Sequence, residues 1–152
     1  MTEPSRVLGV SRLDSRVLLG DAGLAMAMVA AGAERLVDLR GETRPPGLPV
    51  PIHHFPIMDL EPGQDELIAR AAAHVAALAG AGTQVGVYCQ AGISRTAAVA
   101  IGYLLLGGVT LAAATATVRR VRPQAMPALE LQHSLERLAA RAAAGLPTTP
   151  LG

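Results

Sequence analysis

Val85-Gly86-Val87-Tyr88-Cys89-Gln90-Ala91-Gly92-Ile93-Ser94-Arg95-Thr96 is the stretch that decides how this chain folds. A mainly apolar run enters it, small residues fill its middle, and an apolar helical pattern starts at Arg95. That order is strand, tight loop, helix. The amides of such a loop and the positive end of the following helix make a cradle for an anion. The same potential favours the thiolate of a cysteine at the end of the strand. Cys89 is the sole cysteine, and Arg95 stands six residues after it with a planar fork of donors that matches phosphate oxygens. Gln90, Ala91, Gly92, Ile93, Ser94 and Arg95 are therefore expected to wrap a tetrahedral oxyanion. Gly92 is expected to supply the backbone freedom for a close approach, and Ser94 to stabilise the loop. An arginine that opens a helix is disfavoured by the helix dipole, and an anion in the loop removes that penalty.

Specificity comes from the combination. All 13 basic residues are arginine, so an arginine at one position means little. Gly92, a hydroxyl at Thr96 and the strand-loop-helix context together make the pattern specific.

Composition sets the frame. The chain has 152 residues, 51% hydrophobic and 16% charged, which suits one globular domain over 1–152 with its core at about 6–143. Trp is absent, with one Phe and two Tyr, so the core must be aliphatic. A net charge of +1 offers no broad basic field for nucleic acid. No apolar run reaches the ~20 residues of a membrane span, and the first residues lack a signal-peptide pattern. One cysteine permits no internal disulfide, so a reducing, cytoplasmic setting is expected. Arginine-only basicity and heavy alanine use hint at a GC-rich bacterial genome.

Residues 7–10 and 16–19 read as short strands. Gly20-Asp21 reads as a turn capping a helix over 22–31, which Gly32 ends. Residues 36–39 read as a buried strand, and 40–51, rich in Gly and Pro, as loop. Residues 52–57 read as strand despite Pro56, and 58–63 as loop. Asp65 is placed to cap a helix over 66–79, with Leu67, Ile68, Ala71, Val75 and Leu78 on one face. Residues 85–88 read as strand. The helix from Arg95 is apolar nearly all round and is expected at the centre. Two helices follow, 111–121 and 127–143, Pro127 suiting a first helical turn, and the tail 145–152 is expected to be disordered. This order predicts an α/β domain with a mainly parallel sheet flanked by helices and a site at the carboxyl ends of its strands.

Tyr88 to Thr96 resembles the signature loop of the cysteine-dependent protein phosphatases, the dual-specificity group in particular. Pro56-Ile57-Met58-Asp59 is similar to the segment that carries that family's general acid, and Asp59 precedes Cys89 by 30 residues, a spacing like the family's. Val118-Arg119-Arg120-Val121-Arg122-Pro123 resembles the end of its penultimate helix. The resemblance spans about 16–138. It implies a dual-specificity phosphatase fold and hydrolysis of phosphomonoesters through a phosphocysteine. Cys89 would attack phosphorus, and Arg95 would follow the charge on the equatorial oxygens. Asp59 would protonate the leaving group and then activate water. Thr96 would offer its hydroxyl to the sulfur as the phosphoenzyme breaks down. Glu61 and Asp65 compete with Asp59, and Asp65 has the alternative job of a helix cap.

Departures from the family pattern bear on activity and substrate. The family usually places histidine where Tyr88 stands. No tryptophan occupies the general-acid loop, and the shortage of aromatics implies a shallow, permissive pocket. The loop lacks the lysines of the superfamily's lipid phosphatases, so a phosphoprotein or a small phosphomonoester is the expected substrate. Arg40 and Arg44 either line the pocket or are solvated, and Arg119, Arg120 and Arg122 read as surface or helix-end residues. His53, His54, His74 and His133 show no metal spacing, so neither metal nor cofactor is expected. Two other readings stand beside this one. Residues 37–40 and 87–89 also suit a rhodanese-like sulfurtransferase, whose loop usually reaches its arginine one residue sooner. A non-catalytic phosphate-binding pseudophosphatase is the other, kept open by Tyr88.

Overall fold

The computed structural model describes residues 9–145. Strands β1 (Ser11–Arg12), β2 (Val17–Asp21), β3 (Arg35–Arg40), β4 (Ile52–Ile57) and β5 (Val85–Cys89) form one sheet in the order β1-β2-β5-β3-β4. β1 is antiparallel to β2, and the remaining pairs are parallel. Helices α1 (Ala25–Ala30), α2 (Asp65–Gly80), α3 (Arg95–Leu106), α4 (Leu111–Val121) and α5 (Leu129–Ala143) cover it. The expected α/β fold is the one observed. β5 is the middle strand and is buried throughout, so Cys89 emerges at the centre of the sheet's carboxyl edge.

The two faces of the sheet are unequal. On one, the short α1 packs Met28 against Leu18, Leu36 and Tyr88. Gly86 in β5 leaves room for this, since a Cβ there would stand 2.7 Å from the Met28 sulfur. The other face carries the larger core, where Val17, Leu19, Val37, Leu39, Val85 and Val87 meet α2, α3 and α5. The central position expected for α3 is observed: nine of its twelve residues are buried, Arg95 and Thr96 among them. With no aromatic larger than tyrosine, layers of Ala, Val, Leu and Ile fill the space, as the composition requires.

Several local expectations are corrected. Residues 7–8 lie outside the described residues, Gly9 and Val10 are not strand, and the antiparallel partner forms at Ser11–Arg12. Gly20 and Asp21 do not turn, because β2 stays paired with β5 through Gly20↔Tyr88 and Asp21↔Cys89. The helix therefore starts later, at Ala25, after a single 3₁₀ turn. Asp65 is the first residue of α2 rather than its cap, and its carboxylate accepts from Ser134 and Arg137 of α5. α5 begins at Leu129, two residues past Pro127, and just before it the Ala128 amide donates to Ser94 Oγ at 2.8 Å. Of the tail expected to be disordered, residues 146–152 lie outside the described residues.

Candidate active site

Cys89 ends β5, and residues 90–94 turn the chain into α3. Gly92 takes φ +68°, the left-handed region that glycine enters at no steric cost. A Cβ there would stand 2.7 Å from the Gly20 carbonyl oxygen and 2.5 Å from Arg122 Nη2. The loop is therefore pressed against the end of β2 on its outer side.

Three of its carbonyls are held from outside. The Gln90 carbonyl accepts from the Ala22 amide at 3.4 Å, and that of Ile93 from the Met126 amide at 2.9 Å. Gly92's accepts from Arg122 Nε at 2.6 Å. In a planar trans peptide the N–H points opposite to the preceding C=O, and no cis bond occurs among the described residues. Fixing these carbonyls outward turns the amides of Ala91, Ile93 and Ser94 inward, toward the space in front of Cys89. None of these three amides has an acceptor among the described residues. Together with the start of α3 they make a set of donors of the kind that suits an anion.

Thr96, in the first turn of α3, donates its hydroxyl to Cys89 Sγ at 3.0 Å, with the Gly20 carbonyl 3.4 Å away as a second acceptor. Both side chains are buried. Ser94 holds the loop, as expected, by accepting from the Ala128 amide.

Arg95 is only 6% exposed and is held by groups that sequence reading missed. Nη1 donates to Glu42 Oε1 at 2.6 Å and to the Ile57 carbonyl at 3.0 Å, and Nη2 donates to Glu42 Oε2 at 2.9 Å. A guanidinium has five N–H groups. These bonds use three, and the remaining two, on Nε and Nη2, lie on one edge of the group. That edge is a ready bidentate fork for a phosphate. Arg95 hydrogen bonding holds the Glu42 carboxyl at about 2, well below its ordinary 4.5. Arg95 is in turn raised, chiefly by Glu42 against the opposing effect of burial, with smaller contributions from Cys89 and Asp59. Glu42 is the only acid in the Gly- and Pro-rich stretch 40–51, which was its one visible signal.

Asp59 follows β4 by two residues, close enough to Arg95 to raise it, and its buried Oδ1 has no hydrogen-bond partner. The turn that carries it is clamped by Gln64. The Gln64 amide oxygen accepts from the Met58 amide at 2.7 Å, and its NH₂ donates to the Met58 and Glu61 carbonyls. Of the competing acids, Asp65 is committed to Arg137 and Ser134, and Glu61 is exposed.

The reading of Arg122 as a surface or helix-end residue is overturned. It follows α4 directly, is 3% exposed, and donates to the Gly92 and Gly9 carbonyls and to Ser11 Oγ. Burial lowers its pKa, and Asp21 and Cys89 counter this. Arg119 and Arg120 are exposed, as expected. Tyr88 points to the α1 face, where its hydroxyl donates to Asp38 Oδ2 at 2.7 Å, and burial pushes the phenol far above its ordinary range. Asp38 also pairs with Arg40 at 2.9 Å, and Arg40 Nη1 reaches the Gln90 side chain at 3.2 Å. Tyr88 is thus linked to the loop through Asp38 and Arg40 of β3. His53 and His74 stack at 4.2 Å between rings, and His54 Nε2 lies 2.5 Å from the Arg40 carbonyl oxygen. No group of three or more His, Cys, Asp or Glu suited to a metal occurs among the described residues.

This architecture is that of known phosphatases. The sequence model of the dual specificity phosphatase catalytic domain matches residues 50–140. The chain belongs to that family, whose members are cysteine-dependent phosphatases. Human DUSP28 is 29% identical over 89% of this chain and 95% of its own, with a TM-score of 0.78. A mouse protein assigned as a dual specificity phosphatase, solved with zinc tungstate, is 29% identical over 97% of this chain and 98% of its own, with a TM-score of 0.79. Tk-PTP in its active form shares the fold, at 24% identity, coverage of 88% and 97% and a TM-score of 0.76. No curated protein sequence matches the chain.

Proposed function

We propose that this phosphatase hydrolyses phosphotyrosine, phosphoserine or phosphothreonine in proteins through a phosphocysteine intermediate. One observation carries the reading. Cys89 ends β5 at the base of a loop in which the amides of Ala91, Ile93 and Ser94 have no acceptor among the described residues, and the buried Arg95, near enough to Cys89 to be raised by it, has two N–H groups outside its bonds to Glu42 and Ile57. A phosphomonoester seated there presents phosphorus to the sulfur and its equatorial oxygens to the amides and the fork. The sulfur attacks in line, the P–O bond breaks, and Asp59 gives its proton to the leaving oxygen. Water, deprotonated by the Asp59 carboxylate, then attacks phosphorus and releases the thiolate, which the Thr96 hydroxyl stabilises at 3.0 Å. The neutral side chains of Gln90, Ala91 and Ile93 suit a protein phosphomonoester better than a highly charged head group. A single thiol essential to catalysis suits a reducing compartment such as the cytoplasm.

Cys89→Ser tests this reading. Turnover of p-nitrophenyl phosphate should fall below detection without added metal, while tungstate binding to the folded variant persists. Substantial residual turnover would remove Cys89 from the reaction.

A further inference from the structure

Exposed apolar side chains are gathered on the segments that adjoin the Cys89 loop. Six large hydrophobic residues are exposed among those described: Met26, Met58, Leu60, Ile93, Met126 and Leu129. All but Met26 lie on segments attached to the site. Met58 and Leu60 flank Asp59, and Met58 lies over Gly41, one residue from Glu42. Ile93 belongs to the loop itself and is 40% exposed. Met126 is tied to it by its amide, which donates to the Ile93 carbonyl at 2.9 Å. Leu129 opens α5 next to Ala128, whose amide is bonded to Ser94.

Isolated exposed hydrophobics are ordinary, but a group of them on the segments around one functional centre marks a binding surface. None of these five side chains belongs to either buried core. The charged residues interspersed with these side chains along the chain are carboxylates: Asp59, Glu61 and Glu130. Arg95 is already paired with Glu42, and Arg119, which lines a hollow together with Met126, has Glu136 beside it there. An acidic segment beside the phosphorylated residue would meet like charge and apolar surface. An apolar one would cover Leu60, Ile93, Met126 and Leu129.

We propose that the rim formed by Met58, Leu60, Ile93, Met126 and Leu129 selects phosphopeptides whose phosphorylated residue is flanked by large apolar side chains. The proposal rests on the protein phosphatase reading above and names the substrate class of the same site. Selection acts on kcat/KM, because the flanking side chains gain their contacts only once the phosphate is seated in the cradle.

The experiment compares two phosphotyrosine peptides of equal length, one with Leu and Met on both sides of the phosphoresidue, the other with Asp and Glu. The wild-type protein should favour the apolar peptide at least tenfold in kcat/KM. Met126→Gln and Leu129→Gln change exposed positions. Each should reduce that preference about threefold, and the double variant about tenfold, with p-nitrophenyl phosphate turnover unchanged in Leu129→Gln. Equal turnover of the two peptides, or an equal loss on both peptides and on p-nitrophenyl phosphate, overturns the proposal. Faster turnover of a phosphatidate vesicle than of either peptide also overturns it, because the rim would then be meeting acyl chains. A wild-type protein without Cys89-dependent turnover of p-nitrophenyl phosphate would instead defeat the phosphatase reading itself.

Discussion

Replacing Arg122 with methionine keeps most of the side chain's volume and removes its charge and its hydrogen bonds. Three acceptors lose a donor: the Gly92 carbonyl at 2.6 Å, the Gly9 carbonyl at 2.6 Å and Ser11 Oγ at 3.2 Å. Only the Gly92 bond is fully buried, and an orphaned buried acceptor costs about 1–3 kcal/mol, whereas the Gly9 carbonyl and Ser11 Oγ can turn to water. Relief of the guanidinium's own burial, which depresses its pKa, offsets part of this. A net loss of about 1–2 kcal/mol follows, or a Tm lower by roughly 2–8 °C for a domain of this size. The effect on catalysis should be larger than stability alone suggests. Once the Gly92 carbonyl is free to rotate, the Ile93 amide no longer faces the phosphate, and removal of one preorganised donor costs about 10²–10³ in rate. The assay is kcat/KM for p-nitrophenyl phosphate with the inhibition constant of tungstate, measured well below the variant's Tm. Both should deteriorate together, by about a hundredfold. Arg122→Lys, which restores charge and one donor, should recover part of the loss. If the folded methionine variant keeps kcat/KM and tungstate affinity within about threefold of wild type, the Gly92 peptide is not held by this arginine.

Asp59→Asn should lower kcat on an alkyl phosphate about a hundredfold and on p-nitrophenyl phosphate much less, because a good leaving group needs little protonation. Equal losses on both substrates would assign the proton to another group. Glu42 is held at about 2 by its bonds to Arg95. As a depressed carboxylate it contributes stability that is fully present above its ordinary 4.5 and is lost as pH falls from there through about 2. Because the Glu42 side chain is 43% exposed, the contribution is about 1 kcal/mol after screening. In denaturant melts from pH 6 to pH 2.5, wild type should therefore lose about 1 kcal/mol more than Glu42→Gln, and parallel curves would show that the pair adds no stability.

The features legible in the sequence are those that depend on near neighbours. The order Val85 to Thr96 specifies strand, loop and helix within one short window, and β4 and α4 fall where their patterns place them. What stayed hidden crosses the chain. Arg122 meets Gly9 across 113 positions and Gly92 across 30, and Glu42 meets Arg95 across 53. No local pattern separates a helix-end arginine in solvent from one folded under a loop. Asp65 shows the converse difficulty. It stands where a cap belongs, but tertiary partners in α5 take its carboxylate. The start of α1 was misplaced for a related reason, since pairing with β5 carries Gly20 and Asp21 on as strand. The partner of Tyr88 lies 50 positions away, since adjacent side chains on a strand face opposite ways and its hydroxyl meets Asp38.

Pro56 near the end of β4 has a consequence for how the molecule behaves at high concentration. β4 is the outer strand on its side of the sheet, and an outer strand offers its free amides as a template for a neighbouring chain. Proline has no amide hydrogen to offer, and its ring crowds any chain that approaches. The row of donors is broken one residue before Ile57, close to the turn that carries Asp59. Stacking of copies into fibres through this flank is thereby discouraged, and the approach to the reacting phosphate is kept clear.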